Sequence, residues 1–100
     1  MKTTITPTGL HVTHGNLAWP LQLSRPLARK IAHETRRIVG RDPKTKRWTL
    51  DGHGSITVSC TRQDPWPRLI FNNGPQVQPT HRELMWFVER LDDYSKGRTR

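Results

Sequence analysis

The sequence predicts an α+β fold: a small antiparallel sheet with two helices on one face, in the order ββ-α-βββ-α. Three observations carry that prediction. Two segments place apolar residues at helical spacing behind recognisable N-caps, and the stretch between them alternates apolar and polar residues with the period of a strand. Clusters of Gly, Pro, Asn and Asp separate these segments, where turns require them. The chain has 100 residues, enough for one hydrophobic core, so a single domain is expected over 1–97 with residues 98–100 as a flexible basic tail.

Taken in order, Leu10 and Val12 precede His14-Gly15-Asn16, and Leu17, Trp19 and Leu21 follow it, as in two short strands around a turn. Pro7 and Pro20 limit both strands, because proline lacks the donor that a ladder needs. A helix is expected over about 24–39. Ser24 offers the N-cap, Pro26 is tolerated in the first turn, and Leu27, Ala28, Ile31, Ala32, Ile38 and Val39 form the apolar stripe. Gly40 followed by Pro43 is expected to stop it.

Three strands are expected between 47 and 72. Trp48 and Leu50 alternate with Arg47, Thr49 and Asp51, a turn falls at 51–54, and Ile56, Val58 and Cys60 alternate with Ser and Thr. Asp64-Pro65-Trp66-Pro67 breaks the ladder, Arg68 to Asn72 resumes it, and Asn72-Asn73-Gly74-Pro75 ends it. The second helix begins with a capping box, Thr80 as N-cap and Glu83 at N3. Leu84, Phe87, Val88, Leu91 and Tyr94 then line one face until Lys96-Gly97 closes it.

In element order the run from 24 to 95 is similar to double-stranded-RNA-binding domains (α-β-β-β-α), and the run from 46 to 95 to integrase arm-type DNA-binding domains (β-β-β-α). The likeness is one of element order alone and transfers no site residue.

Charge is the strongest functional signal. Lys and Arg number 17 against 8 Asp and Glu, a formal charge of +9. The first fifty residues carry ten basic and two acidic side chains, the second fifty seven and six. A field so localised concentrates polyanions. On the first helix Arg25, Arg29, Lys30, His33, Arg36 and Arg37 occupy the side opposite the apolar stripe, with Glu34 at its margin, and Arg41, Lys44, Lys46 and Arg47 continue the charge. Most charged helix faces mix signs and gain i,i+4 pairs, whereas this one repels itself, which is what a phosphate-tracking surface requires. The expectation is a non-enzymatic protein that contacts the phosphates of DNA or RNA through the nine Lys and Arg of this set, His33 apart. The alternative is an inhibitor or adaptor of the kind phages and mobile elements encode, anti-CRISPR proteins among them, docking on an acidic protein or ribonucleoprotein. Trp86, on the polar side of the second helix, and Trp66, between two prolines, are the candidate contacts for a base or a partner pocket.

Other chemistries find little support in the residues. His11 and His14 point to opposite faces of a strand, and no second pair of closely spaced ligands accompanies them, so no metal or cofactor is expected. His11-Val12-Thr13 resembles half of the paired H-x-T motifs of two-histidine phosphoesterases, but His81 lacks the second half. A phosphate loop and a nucleophile elbow are both missing, so no enzymatic activity is expected. Cys60 is the single cysteine, which forbids an intrachain disulfide and reads as a core thiol. No run approaches the ~18 apolar residues of a membrane span, and a cytoplasmic location is expected.

Overall fold

The computed structural model describes residues 1–51 and 54–98. Its elements are β1 (Lys2–Thr6), β2 (Gly9–His14), β3 (Leu17–Gln22), α1 (Arg25–Gly40), β4 (Thr45–Thr49), β5 (Ser55–Ser59), β6 (Arg68–Phe71), β7 (Gln76–Val77) and α2 (His81–Ser95). The fold is α+β, with two antiparallel sheets ordered β1-β2-β3 and β4-β5-β6-β7.

Both helix starts follow from their caps. The Ser24 hydroxyl accepts from the Leu27 N–H at 3.3 Å. At α2, Thr80 accepts from the Glu83 N–H (3.2 Å) while the Glu83 carboxylate accepts from the Thr80 N–H (2.9 Å), so the predicted box closes on both sides. The ends differ. Gly97, at φ 77°, closes α2 in a Schellman arrangement, with the Arg98 N–H bonded to Asp93 O and the Gly97 N–H to Tyr94 O. Arg98 therefore belongs to the cap instead of beginning a flexible tail; residues 99 and 100, the rest of that expected tail, lie outside the described residues. Gly40 remains inside α1, and Arg41 at φ −129° ends it, so the stop does not use a left-handed glycine.

Two strands escape the sequence reading. β1 is rich in threonine and shows only one apolar residue in its interior, Ile5, yet Thr3 pairs with Val12 and is buried. Threonine is β-branched, and an edge strand needs only one covered face. After β6, Asn72 and Asn73 take φ 55° and 58° and Gly74 N–H bonds back to Phe71 O. These two left-handed residues reverse the chain, so Asn72-Asn73-Gly74-Pro75 leads into β7 where an end to the sheet was expected. The segment after α1 thus holds four strands before α2, which departs from both element-order likenesses. The β2–β3 turn falls where predicted, on Gly15-Asn16, with φ 59° at Gly15. For the expected turn at 51–54, Gly52 and His53 lie outside the described residues.

In place of the one sheet expected, the strands form two, β1–β3 before α1 and β4–β7 after it. One buried cluster nonetheless draws on both sheets and both helices. Its centre is a chain of three rings: Trp19 of β3 lies 5.1 Å from Phe71 of β6, which meets Phe87 of α2 edge-on at 5.7 Å. α2 packs on β1, β2 and α1, while α1 also covers β5. The Tyr94 hydroxyl donates to Leu23 O at 2.7 Å and fixes the end of α2 against the entry to α1.

Candidate nucleic-acid interface

The apolar stripe of α1, Ala28, Ile31, Ala32, Thr35 and Ile38, is buried, which turns the opposite side outward. Arg25, Arg29, Lys30, His33, Arg36, Arg37 and Arg41 are all exposed. They line two shallow depressions that share His33, one formed with Pro26 and Ser95, the other with Gly40. The strip is therefore continuous along the helix and past its end.

Intramolecular neutralisation is slight. Glu34, the one acid of α1, accepts from the Trp48 indole N–H at 2.9 Å and is drawn into the seam between helix and strand, away from the strip. Arg36 pairs with Asp92 of α2 at 2.5 Å, and Lys44 pairs with Asp42 at 3.3 Å with both side chains about half exposed. Exposed pairs of this kind contribute at most ~1 kcal/mol and are screened by salt. Among the described residues no carboxylate pairs with Arg25, Arg29, Lys30, Arg37, Arg41, Lys46 or Arg47.

The nine nominated cations are not all brought together. Lys46 is half-buried and shares the face of β4 that carries Trp48 towards α1. Arg47 projects to the other face, into a separate groove with Pro20, Gln22, Thr49, Gly54, Asn72 and Asn73. The strand period of two separates these neighbours, so the charge that looks unbroken in sequence divides at β4.

The two tryptophans also separate. Trp66 is 51% exposed. Trp86 is half-buried in a depression with His81, Arg82, Met85, Glu89 and Arg90, and the Arg90 guanidinium lies 5.3 Å from its ring centre. That cation–π contact occupies the ring face and explains how an indole is tolerated on the polar side of α2. Sequence reasoning passed over Asp92, which reaches Arg36 across 56 positions, and Arg62, an exposed cation on the Trp66 loop. The first has no local signal. The second had one, since Arg62 lies four residues before Trp66 in a proline-rich turn.

The Cys60 thiol is buried and donates to Pro65 O at 3.1 Å. Burial, with Asp64 nearby, pushes its pKa up, so it remains a protonated core thiol at neutral pH. Among the described residues no three His, Cys, Asp or Glu side chains gather as a metal site, and no helix is long and apolar enough to cross a membrane. Comparison with protein families, with curated proteins and with solved structures finds no match.

Proposed function

We propose that this protein binds nucleic acid without catalysis, seating phosphates along the exposed side of α1 through Arg25, Arg29, Lys30, Arg36, Arg37 and Arg41. The observation that carries the reading is a continuous cationic strip whose only helical carboxylate is diverted to Trp48. Guanidinium groups on a rigid element bind phosphates bidentately and release counterions. Lys44 extends the strip in this reading; Lys46 is peripheral, and Arg47 meets a ligand only if it wraps round β4. The test is binding of labelled duplex and single-stranded oligonucleotides across a salt series. About five phosphate contacts give a slope of log K against log salt near −4, and no binding to either form at low salt defeats the reading.

A second reading, an inhibitor or adaptor for an acidic protein or ribonucleoprotein, draws on the depression around Trp86, where Met85 and the indole are ringed by Arg82, Arg90 and His81. It predicts partners that survive nuclease treatment and are lost with Trp86→Ala.

A further inference from the structure

We infer that the nucleic acid is engaged as a single strand, with a base stacked on Trp66; this rests on the phosphate-binding reading and names the form of its ligand. Trp19 and Trp48 are 7% and 5% exposed and belong to the core, and the ring of Trp86 is covered by Arg90. Trp66 is the most exposed of the four, at 51%.

The loop that presents it is built to hold still. Pro65 and Pro67 fix the backbone on either side. The Asp64 N–H donates to the Thr61 hydroxyl (2.9 Å), and the Thr61 N–H to Asp64 O (3.2 Å). The Asp64 carboxylate accepts from the Trp66 N–H (3.3 Å) and pairs with Arg68. An aromatic platform already ordered loses little conformational freedom when a base settles on it.

Position links this loop to the strip. The Cys60 N–H donates to Lys44 O at 3.1 Å, Ser59 pairs with Thr45, and the Cys60 thiol holds Pro65 O. Through Cys60 the Trp66 loop is thus tied to the segment that leaves α1 and carries Lys44, and exposed Arg62 lies on the loop itself. An anionic backbone bearing accessible aromatic faces matches that arrangement. A duplex buries its base faces in the stack, whereas a single strand presents them, and base–aromatic stacking is tolerant of sequence.

The experiment compares the full chain with Trp66→Ala and Trp66→Phe, by fluorescence anisotropy against an oligothymidylate of about 20 nucleotides and a duplex of the same length. Trp66→Ala is expected to weaken single-strand binding by about 5- to 150-fold while leaving duplex affinity and the salt slope unchanged, and Trp66→Phe to restore most of the loss. Intrinsic fluorescence of the unsubstituted protein should be quenched on binding, and that quenching should vanish in Trp66→Phe. Equal single-strand affinity in all three proteins, with salt-sensitive binding retained, overturns the single-strand inference and leaves the strip reading standing. Absence of binding by the unsubstituted protein to both ligands removes the two together. A Trp66→Ala protein that keeps its nucleic-acid affinity but loses a purified, nuclease-resistant protein partner assigns the indole to that partner and overturns the inference.

Discussion

The two helices are nearly equal in length and both are amphipathic, yet they treat charge in opposite ways. α2 carries two basic and four acidic residues and interleaves them: Arg90 stacks on Trp86 and pairs with Asp93, and Glu83 closes the capping box. α1 carries five basic residues and one acid, has no acid in its first turn, and turns that one acid into a helix–strand seam. An acid near a helix N-terminus and opposite-sign neighbours would each stabilise α1 by a few tenths of a kcal/mol. α1 forgoes both. On the proposed reading, bound phosphates supply the negative charge that α1 lacks.

The sharpest way to break this contrast is to reverse charge on each helix in turn. Arg29→Glu with Arg37→Glu should lower nucleic-acid affinity on the order of 100-fold near 0.1 M salt and flatten the salt slope by about 2, because each phosphate contact contributes about 0.9 to it. Arg82→Glu on α2 should change affinity less than about threefold under the same conditions. Anisotropy titrations at several salt concentrations read both. Equal losses from the two helices would mean that net charge, and not the α1 strip, governs binding.

The acids provide a second, smaller contrast. Glu34→Ala leaves the buried Trp48 N–H without its acceptor and should cost about 1–3 kcal/mol in denaturant unfolding, with nucleic-acid binding at least as strong as before. Glu89→Ala, at an exposed position on α2, should stay within about 0.5 kcal/mol. If Glu34→Ala were neutral for stability, its removal from the strip could not be ascribed to the seam.

These contrasts were partly legible in the chain. Both caps, both apolar stripes and the cationic side of α1 follow from local rules of spacing, so Ser24, Thr80 and Arg29 are found where periodicity puts them. β1 and β7 were hidden because neither has an apolar run of its own: Thr3 is buried in a strand on which α2 packs, and β7 is two residues appended by an Asn-Asn turn. The division of the basic surface at Arg47 was readable in principle from strand alternation, whereas the Arg36–Asp92 pair depends on how the helices cross, which no local pattern encodes.

The smallest expected effect concerns the start of α2. Hydrogen bonds from the N-terminal ammonium and from the Thr80 N–H hold the Glu83 carboxyl below its usual pKa of 4.5. A carboxyl depressed in the folded state adds stability that is complete above its unfolded pKa and fades as pH falls through the folded one. Thermal midpoints should therefore drop as pH falls below 4.5, and Glu83→Gln should flatten that limb while leaving α1 and its binding untouched. A limb of unchanged steepness would place the acid sensitivity elsewhere.

The most direct test of the central claim is a map of backbone amide shifts during titration with a single-stranded oligonucleotide at low salt. The account predicts that the largest shifts fall on residues 25–41 and on the Trp66 loop, with the outer side of α2 quiet. Shifts concentrated at His81, Arg82, Trp86 and Arg90, with α1 unmoved, would contradict it.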